Sequence, residues 1–348
     1  MWQIIGQDRA VALLQRSLET GSVSHAYMFI GPAHSGKMTL AMDLAKALNC
    51  EGENIPCGQC EPCRKVTDLK HADVQIVGIA ADDPTTESKS KTEIGIEQIR
   101  QIQHTASLPP FEGKYRIYII ENAESLSMEA ANALLKTLEE PESKVVFILL
   151  VTDASLLLET VVSRCQPVEF ITVPPGTIED SLIKTWGVEP EKATLLARLS
   201  RGRLGWAVSA AKDDNLLEQR AEIVLHMLDV IDADIETRFT LSTQLAGKFG
   251  NDRNFVFERL DILLGIWRDM LLIKTGSIDT ITNIDRIDEL SGLAKGRTLS
   301  GIRNFIRSIQ KANVELRQNA NPRLVMEVLM LDVPDTGSRE ELAFSDKR

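Results

Sequence analysis

The stretch GPAHSGKMTL, residues 31–40, decides how the first half of the chain is read. It meets the phosphate-loop pattern G-x-x-x-x-G-K-[ST] at Gly31, Gly36 and Lys37, then departs from it at Met38, where a hydroxyl should hold Mg²⁺. AYMFI (26–30) precedes it as a short apolar strand, and MTLAMDLAKALNC (38–50) follows with Leu40, Leu44 and Leu48 on one helical face. Strand, glycine turn and helix in that order favour a phosphate loop over an ordinary turn before a helix. The turn aims backbone N–H groups, Ser35 among them, and the helix N-terminus adds partial positive charge. Lys37 would reach the β- and γ-phosphates. Thr39 follows Met38, but one helical step rotates a side chain by about 100°, so Thr39 should point away from the metal. A thioether is a poor substitute for the hard oxygen ligands Mg²⁺ prefers.

Outward from the loop, DVQIVGI (73–79), YRIYII (115–120) and VVFILLV (145–151) read as strands. SMEAANALLKTLEE (127–140) reads as a helix opened by Ser127 and stopped before Pro141, and ASLLLETVVSRC (154–165) as a further helix. Apolar strands alternating with helices predict an α/β P-loop fold, a parallel sheet covered on both faces. AADDPTTESKSKTE (80–93) is polar and is expected to be a mobile loop. VPPGT (173–177) punctuates the chain, and no convincing strand follows it. Short helices fill 178–212 and longer ones follow. Val256, Leu260, Leu263, Trp267 and Met270 repeat at helical spacing, and Asn321 with Pro322 predicts a capped final helix. The polar tail from Val333 is expected to fray.

A P-loop enzyme needs an acid at the end of a neighbouring strand. RIYIIENAES offers Glu121 and Asn122 where an ATPase of the AAA+ type would show Asp, for the metal, then Glu, to polarise water. Glu121 could reach a metal through water, whereas Asn122 cannot accept a proton. Thr152, ending FILLVT, fits the first sensor position, though a strand-end threonine is often only structural. Two substitutions on one reaction predict lost hydrolysis, and the sequence leaves open whether ATP and Mg²⁺ still bind here.

Composition bounds the alternatives. The 348 residues suffice for two or three domains, and 43% hydrophobic content is ordinary for a globular protein. No apolar run reaches the ~18 residues of a membrane span, and MWQIIGQDRA shows no secretory pattern, so a cytoplasmic protein is the expectation. The net charge of −11 disfavours a chain that grips DNA alone. Four of the five cysteines, Cys50, Cys57, Cys60 and Cys63, are spaced C-x₆-C-x₂-C-x₂-C. In a chain of this kind they suit tetrahedral Zn²⁺ at a closed structural site, with an iron–sulfur cluster or free or disulfide-linked thiols as alternatives. Cys165 reads as a packed thiol and His71 as a superfluous ligand.

Four stretches point one way: HAYMFIGPAHSGK, the cysteine cluster, AANALLKTLEEP and SRC (163–165). Together they resemble the bacterial clamp-loader ATPases of DNA polymerase III, and NANPRLVMEVLML near the end is similar to that family's final helix. The resemblance implies a RecA-like AAA+ module over 1–170 with the zinc site inserted at 50–63, a helical lid over 171–213, a helical collar over 214–332 and a flexible tail over 333–348. It also implies a pentameric ring with gamma/tau and delta subunits, a sliding clamp and primed DNA as partners, and Arg164 as an arginine finger serving the next subunit's ATP. An arginine supplied in trans is worth about 10³–10⁵ in rate. The family's second-sensor arginine is missing, with Gly205 at that place and Arg203 two residues earlier.

Three rival readings each meet an obstacle in the sequence. A gamma/tau-type motor ATPase is opposed by Met38 and Asn122. A zinc-dependent nucleic-acid module is opposed by the acidic charge and the lack of an aromatic-basic stripe. A P-loop kinase leaves SRC and the helical second half unexplained.

Overall fold

The computed structural model describes residues 2–79, 93–318 and 320–334. Most of the polar 80–93 segment and of the tail from Val333 lies outside them. The chain divides into two compact units, Met1–Thr177 with Gly202–Trp206, and Ile178–Arg201 with Ala207–Arg348.

The first unit is built on five parallel strands: β1 Ala26–Ile30, β2 Val74–Val77, β3 Arg116–Ile120, β4 Val145–Val151 and β5 Gln166–Glu169, in the order β2-β3-β4-β1-β5. The period-two alternation of side chains sends Tyr27, Phe29, Ile117, Ile119, Val146, Ile148 and Leu150 to one face. There they pack on α1 (Asp8–Glu19) and α2 (Lys37–Asn49) through Leu14, Leu40, Leu44 and Leu48. Met28, Tyr118, Ile120, Phe147 and Leu149 point to the other face. They meet α4 (Ile96–Ala106), α5 (Met128–Glu139) and α6 (Glu159–Val162); α3 (Glu61–Thr67) lies in the cysteine region. Every residue of β4 is buried, as expected for a strand covered on both sides. Ser127 caps α5 by accepting from the Ala130 N–H at 3.1 Å.

Two local readings change. The segment 154–165 is not one helix: a 3₁₀ turn at Ala154–Leu156 precedes the short α6. Leu157 between them is extended, and Leu157 and Val161 both enter the core. An unbroken helix would also put these two residues, four apart, on one face, so their burial alone does not account for the break. The second change is β5, a strand with no apolar run, QPVE, which pairs with β1 at the sheet edge. An edge strand tolerates Pro167 because one side of its ladder is unused.

From Pro175 onward the regular elements among the described residues are helical: α7 Pro175–Trp186, α8 Pro190–Leu199, α9 Leu204–Lys212, α10 Asp214–Asp232, α11 Ile235–Phe249, α12 Arg253–Lys274, α13 Ile287–Lys295, α14 Leu299–Arg317 and α15 Pro322–Leu331. Asn321 accepts from the N–H groups of Arg323 and Leu324, and Pro322 stands at the first helical position. The core of the second unit centres on α12, where Trp267 packs on Phe305 with ring centroids 4.5 Å apart. Buried Asp269 is satisfied by the Thr282 and Asn283 N–H groups and the Asn283 amide.

Candidate functional site

The glycine loop runs from the end of β1 to the start of α2, at the carboxyl ends of the strands where open α/β sheets bind ligands. Gly31 N–H donates to Val151 O, joining the loop to the end of β4. Gly36 has φ +97°, a conformation that a side chain disfavours, and it hands the chain directly into α2. Lys37 folds back, its Nζ donating to Gly31 O at 2.5 Å and Pro32 O at 2.7 Å. Burial pulls its pKa down to about 8, partly offset by the negative charge of Glu124. Ser35 is buried, and its Oγ has no hydrogen-bond partner among the described residues.

Met38 is half-buried and packs against the core shared by α1, α2 and the sheet, while Thr39 is exposed. The position that should carry a hydroxyl toward the metal therefore contributes to packing. Glu121 and Asn122 both lie exposed at the end of β3, Asn122 with φ +50°.

Thr152 directs its backbone N–H (3.1 Å) and its hydroxyl (2.7 Å) to one oxygen of Glu124. The other carboxylate oxygen of Glu124 is buried with no hydrogen-bond partner among the described residues. Sequence reasoning did not single out Glu124. Its signal was faint: an acid three residues after Glu121, in a 3₁₀ turn whose geometry the sequence does not announce. Gly205, expected from the sequence at the second-sensor place, contributes only backbone there. Gly205 N–H donates to His34 O at 2.9 Å, and a Cβ there would approach that oxygen to 2.7 Å. Arg203 is half-buried two residues earlier.

The four cysteines come together. Their sulfurs all lie within 4.8 Å of one another, with Cys50–Cys60 at 4.0 Å and Cys57–Cys63 at 3.9 Å. A tetrahedral site with metal–sulfur bonds of about 2.3 Å puts sulfurs about 3.8 Å apart, so the cluster fits a metal bound by four thiolates. Backbone N–H groups point at the sulfurs as such a site requires: Gly52 and Cys57 toward Cys50, Gln59 and Cys60 toward Cys57. The N–H groups of Cys60 and Gln59 lower the Cys57 thiol to about 6, and burial raises Cys63 to about 12. His71 is turned elsewhere, its Nδ1 accepting the Asp73 N–H at 3.2 Å. Cys165 is buried in the core beneath α5 and α6, and that burial pushes its thiol up to about 12.

Arg164 follows α6 between the buried Val161 and Cys165, and its own side chain is 34% exposed. It reaches Thr160 O at 2.8 Å and Glu139 Oε1 at 2.7 Å. The structure thus gathers Gly31, Ser35, Gly36, Lys37, Met38, Thr39, Glu121, Asn122 and Thr152 on the strand ends and their adjoining loops, and the four cysteines in a separate cluster. Arg164 lies beyond α6, and its hydrogen bonds among the described residues go to Thr160, Ser163 and Glu139, none of them in the loop.

Comparison with known proteins shows the family. Residues 6–174 match the family described as DNA polymerase III, delta subunit, and residues 225–334 match its C-terminal counterpart. DNA polymerase III subunit delta' of Bacillus subtilis is 32% identical over 326 residues, covering 93% of this chain and 95% of that protein. The tau subunit of the same organism is 29% identical over 361 residues, 96% of this chain but 61% of its own length. A solved gamma subunit-related protein of Thermotoga maritima is 18% identical, covering 92% of this chain and 98% of its own, with a TM-score of 0.40. The chain belongs to the DNA polymerase III delta-prime family, and its fold is a five-stranded parallel sheet carrying a glycine loop, followed by a helical C-terminal region.

Proposed function

We propose that this member of the DNA polymerase III delta-prime family is a clamp-loader subunit that scarcely hydrolyses ATP and donates Arg164 in trans to the ATP site of a neighbouring gamma/tau-type subunit. In this reading it completes a pentameric ring with gamma/tau and delta subunits, and that ring places a sliding clamp on primed DNA. The three-part division into an AAA+ module, a lid over 171–213 and a collar over 214–332 belongs to the same proposal. So does cytoplasmic location, with which the lack of any helix long and apolar enough to cross a membrane among the described residues is compatible.

The observation that carries the reading is Met38 packed against the core. With Thr39 exposed and Asn122 unable to take a proton, the loop lacks both the metal hydroxyl and the water-polarising carboxylate. Its backbone shape is nevertheless kept. A module that must pack in a ring needs that shape even where it no longer needs the chemistry. Arg164, by contrast, is half-buried, with its guanidinium still about a third open to solvent, as a group serving a neighbour must be.

Zn²⁺ held by Cys50, Cys57, Cys60 and Cys63 is the metal we propose for the cysteine cluster. All four coordination positions are filled by protein, so its role is structural. A motor-ATPase reading is favoured by the intact Lys37 and by the match to tau across 96% of the chain.

Phosphate release separates the two readings. The purified chain with saturating Mg-ATP should turn over at background. Turnover near one per second that is abolished by Lys37→Ala would establish the motor reading instead. In a reconstituted ring with clamp and primed DNA, Arg164→Ala should leave assembly intact and slow hydrolysis by about 10³-fold or more. A mutant ring working at the wild-type rate would remove the trans role.

A further inference from the structure

The stretch LLKTLEEP helped to identify the family but received no chemistry. The structure brings its Glu139 to Arg164. Glu139 is the last residue of α5, and its Oε1 accepts from Arg164 Nη2 at 2.7 Å. Nη1 of the same guanidinium donates to Thr160 O at 2.8 Å and lies 3.4 Å from Ser163 Oγ. The guanidinium is therefore held at both ends, by α6, which it follows, and by α5.

The backbones beneath this pair are fixed. Leu138 precedes Glu139 and is buried in the same core as Val161 and Cys165, which flank Arg164. Both side chains leave that core within reach of each other. Glu139 is 50% exposed, and an ion pair so open to water contributes little to stability. Its consequence is geometric. An unrestrained arginine side chain carries substantial rotamer entropy, which it would lose on meeting a phosphate. These contacts engage three of the five N–H donors at most, so donors remain for an incoming oxyanion. A weak, exposed partner can also be exchanged readily for a phosphate.

We propose that Glu139 is a positioning residue for Arg164, holding the guanidinium in the orientation from which it engages the phosphates of a nucleoside triphosphate bound to the adjacent subunit. The inference rests on the reading of Arg164 as a donor in trans, and the test separates the two. Rings are reconstituted from full chains carrying Glu139→Ala, Glu139→Gln, Arg164→Ala or Glu139→Ala with Arg164→Ala. Assembly, ATP affinity and single-turnover hydrolysis are then measured for each.

Glu139→Ala should lower the hydrolysis rate about tenfold, the cost of a modest misplacement, while ATP affinity and assembly stay at wild-type values. Glu139→Gln keeps an acceptor and should recover most of the rate. In the Arg164→Ala background, Glu139→Ala should cost nothing further. If Arg164→Ala is impaired but Glu139→Ala runs at or above the wild-type rate, the positioning role is overturned and the trans reading survives. An equal loss from Glu139→Ala with and without Arg164 also overturns it, because Glu139 would then act by another route. Should the alanine variant fail to assemble, Glu139→Gln decides: retained rate supports the proposal, and a loss equal to that of Arg164→Ala overturns it. Arg164→Ala at the wild-type rate sinks the underlying reading itself.

Discussion

The glycine loop and the cysteine cluster lie in the same unit, and each keeps a different half of what makes a site. The loop keeps its backbone: Gly36 holds φ +97°, and Lys37 lies across the carbonyls of Gly31 and Pro32. Its side-chain chemistry is altered at Met38 and Asn122. The cluster keeps its side chains, with four sulfurs at metal-binding separation, three from the irregular chain between α2 and α3 and Cys63 from α3 itself. A phosphate site built from backbone N–H groups can lose its function through side chains while its shape survives. A thiolate site has no such reserve, because the ligands are themselves the structure.

That contrast predicts unequal sensitivity, greatest at the cluster. Cys60→Ser, or exhaustive chelation, should release the metal and lower the unfolding midpoint by on the order of 10 °C, since structural metal binding is folding free energy. Elemental analysis paired with calorimetry checks this. A metal-free wild-type chain, prepared under reducing conditions without chelator, with an unchanged midpoint would place both regions on the same footing.

The loop should respond most to a change in its backbone surroundings. Gly205→Ala would bring a methyl to 2.7 Å from His34 O, replacing a hydrogen-bonded contact with a clash. The expected loss is about 1–3 kcal/mol, read from urea unfolding. A neutral outcome would mean that the loop's shape is softer than the contrast requires.

The smallest effect belongs to Lys37. Burial holds its folded pKa near 8, below the ordinary lysine value. The unfolded chain thus keeps this proton to higher pH than the folded one does. Folding is penalised below about pH 8, and the penalty fades as pH rises toward the ordinary lysine value. Lys37→Met should remove that upward slope, changing the stability difference between pH 7.5 and 9.5 by about 1 kcal/mol, since solvent around the partly exposed ammonium screens roughly half of the ~2 kcal/mol that the shift itself implies. Parallel slopes for mutant and wild type would show that the lysine is better solvated than its contacts indicate.

Much of the first unit was legible in the sequence. The strands at 26–30, 115–120 and 145–151 and the helices after Gly36 and Ser127 follow from apolar periodicity and capping residues. β5 escaped notice because its pairing with β1, rather than its composition, makes QPVE a strand. The break in 154–165 escaped because the helical pattern runs through it, and nothing in its composition marks the extended backbone at Leu157.

By itself the sequence determined what is encoded locally: the alternation of strands and helices, the glycine turn before α2, the C-x₆-C-x₂-C-x₂-C spacing and the Asn321 cap. Each depends on residues a few positions apart, whose relation the chain's own geometry fixes. Only the tertiary structure decided that Met38 packs on the core, that Gly205 seals against His34, that Thr152 holds Glu124 and that Glu139 meets Arg164. Those partners are distant in sequence. Folding brings them together by packing sheet, helices and loops as a whole, and no local period or motif specifies which side chain will lie beside which.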